Sequence, residues 1–437
     1  MKILSITAGA AGMYCGSCLR DNTLALELKR MGHDVILLPI YTPTLTDQTN
    51  VSQNRVFFGG ISVYLQQSNS FFRQTPWFID RILDSNWLLN LFSGFGIQTS
   101  PQQLGALTLS MLQGENGFQK KELTKLVEWL RQETPPDIIN LPNSLLIGLA
   151  QPLKAALKRP VICTLQGEDL FLRGLPEPYQ SKALKLIRSK VKSIDGFIAV
   201  SDYCAGHMQS LLEIPRNRLH TVPLGIQTEC YGNNHPLKSE IIRIGFLSRI
   251  SPEKGLHTLC EAYKQLRLRK DVPSGKLNVA GYLGSENKAY LKSLQSKMSQ
   301  WGLSKEFNFH GTLDQKGKIR FFENIDIFSV PATFEEPKGI PVLEAMASGI
   351  PVVQPSKGAY TEILEKTDGG ILTDSNSSDS LEKGIYSLYK NRQLAKTLGQ
   401  NGKKGVCNFY DSSHMASAAM EIFTDIATKF ISTATHS

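Results

Sequence analysis

The chain is short of the features that would place it outside the ordinary globular enzymes. It has no apolar run near the roughly 20 residues needed to cross a bilayer, and no internal repeat at a short period or low-complexity segment. Its seven cysteines, at 15, 18, 163, 204, 230, 260 and 407, are odd in number and scattered apart from the first pair, which argues against a disulfide framework and for a reducing compartment. It lacks a D-x-D carboxylate pair of the kind that holds a metal–nucleotide complex, and its His and Cys spacings give no metal cluster, so no cofactor and no required metal are expected. The opening MKILSIT has a basic residue and a short apolar run but no cleavage-site pattern, and is read as a buried first strand rather than a signal peptide. The cytoplasm is the expected location.

What is present is length and alternation. At 437 residues the chain exceeds what one hydrophobic core normally supports, and two domains of roughly 200 residues each are expected. A hydrophobic share of 41% suits a soluble protein, and the net charge of +9 favours anionic partners such as nucleotides, phosphates, nucleic acid or an anionic membrane surface without choosing among them, a merely solubilising surface being an equal reading; from the motifs below, nucleic acid is not the expected partner. Short β-branched runs alternate with helical patterns throughout, the mark of parallel sheets wrapped by helices. Six strands are expected in the first half, at 2–7, 34–41, 137–142, 161–166, 196–201 and 219–224, and six in the second, at 241–249, 276–282, 307–313, 326–332, 351–356 and 369–374. Between them GIQTECYGNNHPLKSE is polar, carries Gly and Pro, and lacks apolar periodicity, so it reads as a linker. The expected organisation is an N-terminal domain over 1–225, a linker over 226–240 and a C-terminal domain over 241–437, with a helix near 412–430 as a candidate to pack back on the first domain. Two doubly wound sheets joined in this way bind ligands at the carboxyl ends of their strands, and a shared cleft is the natural expectation.

The segment ATFEEPKGIPVLEAMASGIPVV runs from strand through loop to helix. Pro341 suits a first helical turn and Gly349 the position past its end, giving a helix over 341–348. Gly339 lies just before it, where a side chain would block an anion approaching the exposed N–H groups. Glu336 and Glu344 fall on either side of that helix start with Lys338 between them, a pair of carboxylates suited to accept hydrogen bonds from sugar hydroxyls. Taken singly, each carboxylate is better read as an acidic loop residue or a dipole-favoured Glu; the otherwise small, apolar helix around Glu344 tilts the pair toward function. In IGFLSRISPEKGLHTLCEAYKQL, Arg249 at a strand end and Lys254 before a helix offer a fork-shaped and a point cation for a diphosphate, against the commoner fate of a solvated basic loop. Leu256, Leu259, Tyr263 and Leu266 form the buried stripe of that helix.

These segments, with the Gly-rich first loop, GHDV, DGFIAVSDY, RISPEKG, FHGTL and DIFSVPATFEE, and with the E-x7-E pattern before EAMASGIPVV, resemble the retaining, nucleotide-sugar-dependent glycosyltransferases of the GT-B class, the large glycogen-synthase-like and mannosyltransferase-like family. The resemblance covers nearly the whole chain. It implies an α/β GT-B fold of two Rossmann-like domains facing across a cleft, a nucleotide-diphosphate sugar donor, and a sugar or lipid-linked acceptor. Arg249 and Lys254 would bind the donor diphosphate, Glu344 the ribose and Glu336 the transferred sugar, while Gly339 and Ile340 would offer backbone N–H groups. Gly12 and Gly16 would let the first loop come close to donor and acceptor. Two departures stand out. Lys338 replaces an aromatic residue common in relatives, and Gln166 in TLQGED stands where many carry a His that contacts the donor sugar, with Glu168 and Asp169 as nearby alternatives. Leu224-Gly225 replaces the usual Asn-Gly after the last N-domain strand.

The C-x-x-C of Cys15 and Cys18 opens a helix after strand one, which is also where a redox fold would place it; length and the second domain favour small packing residues over redox partners. The aromatic insertion at 57–117, with Trp77, Phe78, Ile82, Trp87, Leu88, Leu91 and Phe92, offers a face for a lipid acceptor or membrane, with packing on the sheet the preferred reading. The basic run of Lys182, Lys185, Arg188, Lys190 and Lys192 is a candidate for peripheral contact with an anionic membrane, with a solvated face as the default. The rival readings of the whole are a non-catalytic sugar-nucleotide-binding or scaffold protein on the same fold, which the Gln166 departure motivates, and a redox protein using the two cysteines.

Overall fold

The computed structural model of the chain describes residues 1–9, 15–58, 66–67, 101–232 and 241–434. All twelve expected strands form, each within a residue of the expected start and most ending earlier, and every strand pair is parallel. The first sheet contains β1 (Lys2–Thr7), β2 (Asp34–Pro39), β3 (Ile138–Leu141), β4 (Val161–Leu165), β5 (Gly196–Ala199) and β6 (Leu219–Thr221), in the order β2-β1-β3-β4-β5-β6. The second contains β7 (Ile242–Leu247), β8 (Gly275–Ala280), β9 (Phe307–Phe309), β10 (Ile327–Phe328), β11 (Val352–Pro355) and β12 (Gly370–Thr373), in the order β12-β11-β10-β7-β8-β9. Strands covered by helices on both faces read as unbroken apolar runs rather than alternating ones. Ile3, Leu4 and Ile6 of β1, and Ile242, Ile244 and Phe246 of β7, accordingly have no exposed surface.

The chain divides into two compact units, the first taking Met1–Val200, Cys204–Val222 and Ala416–Ser437, the second Ser201–Tyr203 and Pro223–Met415. The last helix, Ser412–Ala434, contributes most of its length to the first unit, where Ile426 packs on Gly196 at the start of β5. Residues 226–232, within the span read as linker, belong to the second unit, and Tyr231 is buried there.

In each sheet the order reverses once, because the first strand has neighbours on both sides: β2 and β3 flank β1, and β8 and β10 flank β7. Helices leaving opposite faces at such a point part from one another and open a crevice beyond the carboxyl ends of the strands. In the second unit the start of the β7–β10 pair is locked by Arg243, whose Nη2 and Nε donate to Asp326 Oδ1 at 2.7 Å and Oδ2 at 3.0 Å while its backbone N–H donates to Oδ2 at 2.9 Å. Asp326 is completely buried, so a bidentate guanidinium with a third donor is what makes its charge tolerable there.

The helix following β7, Leu256–Arg267, buries Leu256, Leu259, Tyr263 and Leu266 as the sequence stripe predicts, each burial worth about 1.5–3 kcal/mol. It starts at Gly255, whose φ of +74° is left-handed and whose Cα faces the Pro331 carbonyl so closely that a Cβ would lie 1.8 Å from its oxygen. The absence of a side chain lets the helix start seat against the end of β10. Gly302 has the same backbone, φ +75°, but a Cβ there would have nothing within 4 Å. Gly302→Ala should therefore cost about 1–2 kcal/mol for the left-handed conformation alone, and Gly255→Ala should cost clearly more, measured side by side in urea. Equal losses would show that the close approach to Pro331 carries no energy.

Candidate functional site

The second unit brings together, from two adjacent strands, residues 82 positions apart. After β7 the chain passes Arg249, makes the 3-10 turn Pro252–Lys254, and enters its helix through Gly255. After β10 it runs through Thr333–Lys338 into the helix Ile340–Ala347, which starts one residue before the expected 341 with Pro341 in its first turn. The two loops are tied by the Thr333 N–H, which donates to the Glu253 carbonyl at 2.9 Å. Lys254 Nζ then reaches Glu336 Oε2 at 2.5 Å, both side chains being largely buried, and lies 4.7 Å from the Phe334 ring centroid.

Glu336 is held rigidly. Its carbonyl accepts the Ala359 N–H at 2.7 Å, and its Oε1 accepts the Lys338 N–H at 3.3 Å. Burial works to raise its pKa, but the charges of Lys254 and Lys338 and the hydrogen bonds it accepts outweigh that and hold the carboxyl below the ordinary carboxylate value. It is therefore a carboxylate throughout the neutral range. Gly339, at φ +71°, is the N-cap of the following helix and has no side chain to cover the first-turn N–H groups; Ile340 is the first helical residue and is 8% exposed. The buried Glu344 lies in the second turn, where its Oε1 accepts from Lys318 Nζ at 2.5 Å and Tyr231 Oη at 2.9 Å.

Arg249 is not drawn into the Lys254–Glu336 pair. Its Nη2 bonds Glu253 Oε1 at 3.2 Å, and half of its side chain is exposed. Its place, just past the carboxyl end of β7, keeps it beside the same loop. Lys338 is half-buried, with its charge felt by Glu336.

Lys318, Tyr231 and Phe334 are absent from the sequence-based site. Lys318 had a signal: on the helix Gln315–Glu323 it precedes Phe321 and Phe322 by three and four residues, so it shares the face of two buried aromatics, an unusual place for a lysine without a partner. Tyr231 had none, being inside a stretch that reads as linker.

In the first unit, Gly12 and the aromatics Trp77 to Phe92 lie outside the described residues. Gly16 is the first residue of the helix Gly16–Arg30 that follows β1, and Met31 caps its end and is 45% exposed. Gln166, past the end of β4, is 4% exposed, and its Nε2 donates to Asp21 Oδ1 and the Pro142 carbonyl, both at 3.0 Å. Among the described residues its Oε1 has no partner. Glu168 Oε2 accepts the Gln166 N–H and its Oε1 accepts Ser144 N–H and Oγ–H, all at 2.8 Å. Where an imidazole would offer a titrating group, this chain has an amide whose donors are spent on a brace across the strand ends. The basic helix Tyr179–Lys190 turns Ala183 and Ile187 inward and Lys182, Lys185 and Arg188 outward, with Arg188 paired to Glu213 at 3.0 Å. Among the described residues there is no cluster of three or more His, Cys, Asp or Glu placed to hold a metal, and no helix long and apolar enough to cross a membrane.

Comparison with known proteins agrees with this layout. Residues 231–405 match the family model of Glycosyl transferases group 1, and residues 108–230 that of Glycosyltransferase Family 4. Among sequence relatives, a probable sucrose-phosphate synthase of Oryza sativa subsp. japonica is 23% identical over 338 residues, 71% of this chain and 31% of that protein. A phosphatidyl-myo-inositol mannosyltransferase of Mycobacterium leprae is 30% identical over 249 residues, 56% of this chain and 62% of that protein. The chain thus spans 31% and 62% of the length of these two curated relatives. Among solved structures, HepE of Anabaena in complex with UDP superposes with a TM-score of 0.68 at 18% identity, covering 97% of this chain and 100% of that one. The sucrose-phosphate synthase of Thermosynechococcus elongatus gives 0.69 at 15% identity, covering 98% and 99%. Two parallel six-stranded sheets of this order, with the crevice-forming loops at β7 and β10 and these two matched regions, make the chain a GT-B fold protein with a Glycosyltransferase Family 4 region followed by a Glycosyl transferases group 1 domain.

Proposed function

We propose that the protein is a retaining glycosyltransferase that moves a sugar from a nucleotide-diphosphate donor to a hydroxyl acceptor without a metal ion. The observation that carries this reading is the buried Lys254–Glu336 pair beside the bare helix start at Gly339. A pyrophosphate needs cations and N–H donors, and a hexose needs a fixed ionised acceptor for its hydroxyls; the loops after β7 and β10 supply both within one unit. Lys254, Arg249 and the first-turn N–H groups of the helix would neutralise the diphosphate, Glu336 and Lys338 would orient the transferred sugar, and Glu344 would accept from the ribose hydroxyls. HepE has been solved with UDP and with UDP-glucose, and the mycobacterial relatives include a GDP-mannose-dependent enzyme, which supports a nucleotide sugar as donor.

In the reaction, the anomeric C–O bond to the diphosphate breaks as the acceptor oxygen forms its bond on the same face, and the acceptor proton passes to the leaving phosphate oxygen. The protein contributes charge placed in advance where negative charge grows on the leaving group. Two side-chain cations and a helix start can supply the positive charge that a metal ion would otherwise bring to the diphosphate, which supports the metal-independent reading. The outward cations of the helix Tyr179–Lys190 suit a peripheral contact with an anionic membrane, which would bring the enzyme to a lipid-linked acceptor.

A panel of nucleotide sugars should give slow release of free nucleotide with one donor, undiminished by EDTA. Lys254→Ala and Glu336→Gln should each lower kcat by about 100-fold or more, with both proteins folded by circular dichroism, and NMR of the product should show retention at the anomeric carbon. Normal turnover by both variants would refute the site, and an inverted product would refute the mechanism. Lys318 acts at one remove, by fixing Glu344. Lys318→Ala should raise the donor KM by about tenfold, on the order of 1.4 kcal/mol, while kcat holds. A fall in kcat at unchanged KM would place Lys318 elsewhere in the reaction.

A further inference from the structure

Cys15 and Cys18 have no part in the reading above, yet their surroundings differ from those of the other five cysteines. Cys15 is the N-cap of the helix Gly16–Arg30, with φ −112° and ψ 128°, and is half-buried; Cys18, in the first turn, has no exposed surface. The spacing of three puts both side chains on one side of the helix start. No disulfide joins them. Cys18 and Asp21 stand three residues apart on one side of the helix Gly16–Arg30, and the Asp21 charge and the Thr7 side chain both act on the Cys18 thiol. Asp21 is 2% exposed, accepts from Thr7 Oγ1 and Gln166 Nε2, each at 3.0 Å, and lies 3.4 Å from Arg20 Nη1.

We propose that Cys15 and Cys18 form a thiol–disulfide exchange site, in which Cys15 attacks a low-molecular-weight disulfide, Cys18 resolves the adduct, and Asp21 takes the Cys18 proton. The two positions are unequal in the way this chemistry needs. The accessible sulfur sits at a helix N-terminus, where the peptide dipoles favour negative charge. The inner sulfur is sealed from solvent, and the neighbouring Cys15 side chain, together with burial, pushes its pKa far up, so it waits as a thiol until the adduct forms. A sealed thiol needs a buried base. Burial raises the proton affinity of Asp21 against the opposing charge of Arg20, making it a suitable acceptor at that place.

The step balances. The Cys15 thiolate forms a bond to one sulfur of the disulfide RSSR, whose S–S bond breaks to release RS⁻. The Cys18 proton moves to Asp21, and the Cys18 thiolate attacks the Cys15 sulfur, closing the Cys15–Cys18 bond and expelling the second RS⁻. Two protein thiols are oxidised, one small disulfide is reduced to two thiols, and the two protons end on those thiols. Closure also removes the S–H of Cys18 from its place beside Thr7 and Asp21, the same Asp21 that anchors Gln166, so the oxidation state is felt at the strand ends of the first unit.

The test uses the full-length protein equilibrated with oxidised glutathione, then alkylated and mapped by mass spectrometry. The expected result is a loss of two hydrogens confined to the peptide carrying residues 15 and 18, reversed by dithiothreitol. Cys18→Ser should trap a glutathione adduct on Cys15, and Cys15→Ser should abolish both products. Asp21→Asn should slow resolution of the adduct by about tenfold or more while leaving adduct formation unchanged; if that variant does not fold, trapping by Cys18→Ser decides. A stable Cys15 adduct in the unaltered protein, or glutathionylation of Cys230 and Cys407 as readily as Cys15, would overturn the proposal.

Discussion

The pairing of β7 with β10 is the constraint from which the rest of the second unit follows. Ile327 pairs with Ile244 and Phe328 with Gly245, two rungs that join the two halves of the sheet. Because both strands run the same way, their following loops emerge at the same edge, and residues separated by 82 positions become neighbours without any long excursion of chain. The Arg243–Asp326 clamp fixes one end of this pairing, and the approach of Gly255 to the Pro331 carbonyl fixes the other. Between them the register of two short strands is converted into the position of a lysine against a glutamate.

Much of this was legible in the sequence because parallel strands buried on both faces leave a strong, local signature. β1, β7 and β8 are rich in apolar residues and buried along most of their length, and the helix Leu256–Arg267 carries a clean stripe. The loop residues were legible for a different reason: Gly339 before Pro341, and Lys254 before Gly255, mark helix starts that the chain must leave uncovered. Lys318 and Tyr231 escaped because their role is defined only by Glu344, which is 26 positions from one and 113 from the other. A tyrosine in a polar, glycine-bearing stretch has no local feature that announces burial. Strand ends were read too long, since residues such as Val330 and Ala332 stay apolar and buried after the ladder of β10 has stopped.

Gln166 shows how one substitution can change the kind of role a position has. An imidazole there could give or take a proton, whereas the amide uses its donors on Asp21 and Pro142 and ties β4 to the loop after β3 and to the first helix. Glu168 extends the tie by gripping both the Gln166 N–H and Ser144. The strand ends of the first unit are thereby knitted by amide and hydroxyl donors around buried carboxylates, one of which also pairs with Arg20.

The ion pairs of the second unit have a common arithmetic. Lys254 stands against Glu336, Lys318 against Glu344, and Arg249 against Glu253, so each of these three cations already has its own anion. A polyanionic guest would find no standing surplus of charge in these pairs; it would enter by changing partners, each lysine loosening its carboxylate as that carboxylate turns to a hydroxyl. Such a site would be filled by an exchange of partners rather than by attraction to a vacant charge.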